Sequence, residues 1–189
     1  MPILGVIASQ ISGHLFAPSG AYDSIATHTV GSGGQASIEF TSIPSTYKHL
    51  QIRGIARATT TGSSFVNCTI SYNSDTGANY AGHDLYGDGS TATAGGGGSR
   101  IPSNIGVVTF PDANIAANIF GTGIIDILDY ANTSKYKTIR VLTGADANGS
   151  GYILFRSELW QNTSAISTIT LTAAFAEYSS FALYGIRGN

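Results

Sequence analysis

Residues Ala165–Gly188 read AISTITLTAAFAEYSSFALYGIRG, and their spacing decides the fold class. Ile169, Leu171, Ala173 and Phe175 share one parity, with Thr168, Thr170 and Thr172 between them. Such alternation puts apolar side chains on one face of a strand and hydroxyls on the other. Glu177-Tyr178-Ser179-Ser180 is a polar break, after which Phe181, Leu183 and Tyr184 restore the apolar content and a last strand runs to Gly188. A stretch that ends on FALYGI predicts a strand lying inside its sheet.

Upstream, strand signals recur between turn signals. Tyr22–Val30 stops at Gly31-Ser32-Gly33-Gly34, and Ala36–Ile43 follows, which reads as a hairpin closed by Pro44. In Lys48–Ala58, Leu50, Ile52, Gly54 and Ala56 face one way while Gln51, Arg53, Ile55 and Arg57 face the other. Thr59–Ser63 turns the chain into Phe65–Tyr72. Tyr72–Gly98 reads as the longest irregular stretch, and Gly95–Gly98 predict flexibility at its end. Ile105–Phe110 and Asn118–Tyr130 are the next strands. The second is apolar on both parities, and Gly121 and Gly123 within it predict close backbone approach or a bulge. Tyr136–Thr143 and Tyr152–Gln161 flank GADANGSG, whose Asn148-Gly149 is a hairpin turn. Nine or ten strands, with no helical periodicity, predict an all-β chain: a jelly-roll-like antiparallel β-sandwich over residues 21–189. Residues 1–20 read as an extended N-terminal arm, because Gly5, Gly13, Pro18 and Gly20 break any regular element, and its apolar side chains are expected to dock either beneath the first strand of its own domain or on a neighbour.

The composition narrows the function classes. Hydrophobic residues at 42% suffice for a core, whereas charged residues are only 11% against a usual ~25%. A net charge of −2 gives no pull toward nucleic acid or an anionic membrane, and no apolar run approaches the ~20 residues of a membrane span. MPILGVIASQ lacks the basic start and long apolar core of a signal peptide. The lone Cys68 shares parity with Val66, Ile70 and Tyr72, which predicts a buried thiol. His14, His28, His49 and His83 lack metal-ligand spacing, and no Gly-x-Ser-x-Gly elbow or phosphate loop occurs. Asp75-Thr76-Gly77 and Asp84 with Asp88 fit turns better than a calcium loop. The sequence therefore predicts no enzyme, no metal and no cofactor. Tyr80, Tyr86, Tyr152 and Trp160 are read as exposed rings, serving either as a sugar-stacking platform or as subunit-interface contacts. That reading puts Trp160 on a mixed face with Tyr152, Leu154, Arg156 and Glu158, and takes Ile153, Phe155 and Leu159 as the clean apolar face.

The ending SSFALYGI, followed by a basic residue and glycine, closely resembles the end of many tailed-bacteriophage particle proteins. MPILGVIASQISG at the start, YDSIATHTVGSGGQASIEFTSIPSTYKHLQIRGIAR at Tyr22–Arg57 and DYANTSKYKTIRV at Asp129–Val141 look like the same proteins. The resemblance implies a virion structural protein, made in the bacterial host cytoplasm and partnered by other virion proteins, with a homotrimer favoured. Two roles stay open. One is a capsid decoration, or cement, protein docked on the shell through Ile3, Leu4, Val6, Ile7 and Ile11 of its arm. The other is a tail-fibre or tail-tip module contacting host surface glycans.

Overall fold

The computed structural model describes residues 20–101 and 105–188. It contains β1 (Tyr22–Thr29), β2 (Gln35–Phe40), β3 (His49–Ala56), β4 (Phe65–Tyr72), β5 (Tyr80–Gly87) and β6 (Ala92–Ile101). The second half adds β7 (Ile105–Pro111), β8 (Gly121–Leu128), β9 (Lys137–Asp146), β10 (Gly151–Trp160), β11 (Ile169–Phe175) and β12 (Ser180–Ile186). The chain is all-β, and two antiparallel sheets pack as a sandwich. The arm residues Ile3, Leu4, Val6, Ile7 and Ile11 lie outside the described residues.

The larger sheet runs β1-β12-β3-β8-β9-β10-β5-β6 and the smaller β2-β11-β4-β7. Without β5, β6, β9 and β10, the order is β1-β12-β3-β8 against β2-β11-β4-β7. That is the jelly-roll order, in which β1/β2, β3/β4, β7/β8 and β11/β12 each step from one sheet to the other. The hairpins β5–β6 and β9–β10 are insertions that widen one sheet beyond β8. β12 lies between β1 and β3, as its apolar ending predicts.

Three expectations change. β1 and β2 are not a hairpin: β1 pairs with β12 and β2 with β11, so the Gly31–Gly34 turn carries the chain between sheets. Tyr72–Gly98 is not one long loop. Seven residues lead from β4 into β5, and Gly95, Gly96 and Gly97 pair in register with Asp84, His83 and Gly82. The glycines leave room there, because the Asp84 carboxylate occupies the place a side chain on Gly95 would take. β8 is central in its sheet but buries only one face, with Ile125 and Ile127 inside and Ile124 outside.

Alternation sets the interior. Leu50, Ile52, Ile125, Ile127, Ile139, Val141 and Leu183 of the larger sheet meet Ile38, Cys68, Ile70, Ile169 and Leu171 of the smaller. Phe110, Phe175 and Phe181 form an edge-to-face trio with centroids 5.2–6.4 Å apart, joining β7 and β11 to β12. Each such pair contributes about 0.5–1.5 kcal/mol beyond area burial. Gly123 marks a close approach of the sheets, since a Cβ there would lie 2.5 Å from Val108 Cγ1. The Asn148-Gly149 turn has φ of 57° and 110°, the left-handed pair that closes a two-residue hairpin.

Candidate functional site

β10 carries the chemistry that the sequence reading assigned to an exposed platform, and its parity is the reverse of that expectation. The mixed set Leu154, Glu158 and Trp160 faces the interior, while Ile153 and Phe155 face solvent. Trp160 and Tyr80 are therefore corrected from exposed to fully buried. They are register partners at one end of β10 and β5, and both pack on Tyr72 of β4. Tyr86 and Tyr152 sit together at the other end, half-buried and stacked at 5.4 Å, with Phe65 on Tyr152 at 6.0 Å. The four rings are thus two pairs separated by most of a strand, and no single platform exists.

The Trp160 end is held by polar groups that would be costly to bury unpaired. Trp160 Nε1 donates to Asp75 Oδ2 at 2.8 Å, and Tyr80 Oη donates to the Asp75 carbonyl at 2.9 Å. Burial pushes the Asp75 carboxyl up, but hydrogen bonds from Trp160, Asn79 and Gly77 outweigh it and leave the group below its ordinary range. Lys137, fully buried beside the Trp160 ring, donates to the carbonyls of Asn132, Lys135 and Thr163 at 2.8–3.1 Å. Burial, and then the Lys135 charge, pull the Lys137 ammonium below the usual lysine range. These side chains form a closed, buried structural cap.

Mid-strand lies an acid that the sequence reading did not single out. Glu158 is buried, and neither carboxyl oxygen has a hydrogen-bond partner among the described residues. Arg156 approaches it only to 3.9 Å, because that guanidinium is paired with Asp84. Burial raises the Glu158 carboxyl to about 8 against the opposing pull of Arg156, so it is protonated at neutral pH. The Tyr72 hydroxyl nearby is also unpartnered, and burial raises it well above its ordinary range. Cys68 is buried and its thiol is raised by burial, which makes it an inert small hydrophobe as its parity predicts. Among the described residues no group of three His, Cys, Asp or Glu side chains is placed to hold a metal ion.

The outer face of the widened sheet is the other departure. Ile124, Leu142, Phe155 and Leu85 stand directly opposite one another across β8, β9, β10 and β5. With Ile55 and Ile153 beside that row, these side chains are between 38% and 59% exposed. On one side the band is bounded by a polar row in which Gln51 donates to Asp126 at 2.7 Å and Arg140 lies 3.3 Å from Asp126. The signal is present in the sequence as the clean apolar face of Ile153 and Phe155, which hydrophobicity alone cannot tell from an inward one.

No protein-family model matches the chain, and no curated protein matches it. Among solved structures it is similar to the marine PL-14 alginate lyase from Aplysia kurodai, at 11% identity and a TM-score of 0.30, over 95% of this chain and 92% of that one. A likeness that distant says nothing of what this chain does.

Proposed function

We propose that this chain is a virion structural protein, a capsid decoration protein that holds to the shell through its N-terminal arm and displays the β-sandwich. The observation that carries this reading is the exposed apolar band across β8, β9, β10 and β5. A contiguous row of large apolar side chains, bounded by polar ones, marks a surface made for contact with another protein. The resemblance of the separated sequence blocks to phage particle proteins supports the same conclusion and adds the particle. The arm adds a second adhesive element, since Ile3, Leu4, Val6, Ile7 and Ile11 fall in a stretch without a single Asp, Glu, Lys or Arg. Glycan binding at a tail tip draws no support from the burial of Trp160 and Tyr80, which leaves only Tyr86 and Tyr152 of its four rings accessible. Catalysis forms no part of this reading. The test is deletion of residues 2–20. The sandwich starts at β1, so thermal unfolding of the free protein should be nearly unchanged while incorporation into particles is lost. A truncated chain that loads normally refutes the arm as anchor.

A further inference from the structure

We infer that the apolar band is the contact surface of a two-fold pair, and that its occupant is the same band of a second copy of this chain. The inference deepens the reading of the band as a protein-contact surface and names the partner.

The argument lies in three parallel rows on the outer face of the widened sheet. The first is the apolar row Ile124-Leu142-Phe155-Leu85, continued to Ala94 on β6 and Arg53 on β3. Two residues along the strands lies Ile55-Thr122-Gly144-Ile153-Gly87-Ala92, in which large and small side chains are interspersed. Two residues the other way lies the polar row Gln51-Asp126-Arg140-Ser157-His83-Gly96. A two-fold axis along the strands, midway between β9 and β10, lays β9 over β10 of the second copy and β8 over its β5. Such an isologous contact is made twice, so each match counts double.

Under that one operation all three rows are complementary. Leu142 meets Phe155 of the second copy, and Ile124 meets its Leu85, so the apolar row covers itself. Ile153, the most exposed aliphatic side chain of the face at 59%, lands on Gly144. There a depression of about 320 Å³ opens, walled by Thr122, Ile124 and Leu142 on one side of Gly144 and by the chain's own Ile153 on the other. Ile55 lands on Ala92 and Thr122 on Gly87, again large on small. In the polar row Asp126 lands on His83 and Arg140 on Ser157, so no like charges face each other. An axis between β8 and β9, by contrast, sets Ile153 on Ile55, large on large, puts Phe155 on the charged Arg53, and brings Arg140 onto an Asp126 already paired within its own sheet.

The size is adequate. Six strands spaced ~4.8 Å apart and three rows spanning ~13 Å give a footprint of about 600 Å² per copy with its margins, which reaches the ~1,200 Å² total of the smaller specific interfaces. Two sheets packed face to face keep their strands within about 30° of each other, which the axis along β9 and β10 provides. The result is a pair, in place of the trimer that the resemblance implies.

Sedimentation equilibrium of the full 189-residue chain tests this without any particle, so its failure is separate from failure of the virion reading. The wild-type chain should sediment as a dimer at 10 µM. Leu142→Lys and Phe155→Glu, both at exposed positions, should each leave the far-ultraviolet circular dichroism spectrum unchanged and raise the dimer Kd by about 100-fold or more. Mixing the two variants should restore a heterodimer, because one contact then pairs Lys with Glu while the symmetry-related contact keeps Leu142 on Phe155. A monomeric wild type, a trimer, a dimer that survives both substitutions, or a mixture that stays monomeric overturns the proposal.

Discussion

Replacing Glu158 by glutamine removes a titrating carboxyl that the sandwich buries without a hydrogen-bond partner among the described residues. In the folded chain this group titrates near 8, against an ordinary value of 4.5, with burial the larger cause and Arg156 opposing it. Between those two values the unfolded carboxyl is ionised while the folded one still holds its proton. The folded state binds more protons there, so stability falls as pH rises. The contribution is fully present below about pH 4.5 and is gone above about pH 8. Each pH unit in the window costs about 1.4 kcal/mol, with an upper bound of roughly 5 kcal/mol across it. With a urea m-value of about 2 kcal/mol/M, the unfolding midpoint should fall by roughly 0.7 M per pH unit. Other titrating groups contribute equally to both proteins, so the difference between wild type and Glu158→Gln isolates this one. Measured from pH 5 to pH 9, the wild-type urea midpoint should fall steadily relative to that of the variant, whose own midpoint stays comparatively flat. Two parallel curves would refute the assignment of a protonated buried acid at this position.

Asp75→Ala leaves the buried Trp160 N–H unpaired, which should destabilise the fold by about 1–3 kcal/mol and shift the emission of the single tryptophan; an unchanged urea midpoint contradicts the cap. Gly123→Ala forces a methyl against Val108 and should cost about 1–3 kcal/mol. Adding Val108→Ala should make that glycine substitution nearly neutral in a double-mutant cycle, and full additivity would exclude the close approach. Cys68 should resist a thiol reagent in the native protein and react fully in denaturant, so rapid native labelling would contradict its burial.

Face alternation was legible in the sequence; neighbour identity was not. Ile169, Leu171 and Phe175 point inward as their spacing predicts, and so do Leu50, Ile52, Ala56, Cys68 and Ile70. Period two says which side chains share a face, but it does not say which strand lies alongside. β1 and β2 therefore looked like a hairpin although each pairs with a strand from the far end of the chain. The parity of β10 was misread for a related reason. Its inward face holds Arg156 and Glu158, whose charge is tolerated inside by the Asp84 pairing and by protonation, and its outward face holds Ile153 and Phe155. Hydrophobicity alone assigns those faces the wrong way round wherever an interior carries a neutral acid and an exterior carries a contact surface. Gly95 and Gly96 mislead similarly, since their lack of side chains serves close cross-strand packing against Asp84 and His83.

The most direct test of the central claim is the number of copies of this chain in a purified particle, measured by quantitative mass spectrometry against the major shell protein. A decoration protein should be present in hundreds of copies per particle. A few to a few dozen copies would place the chain on the tail, and its absence from the particle would contradict the account altogether.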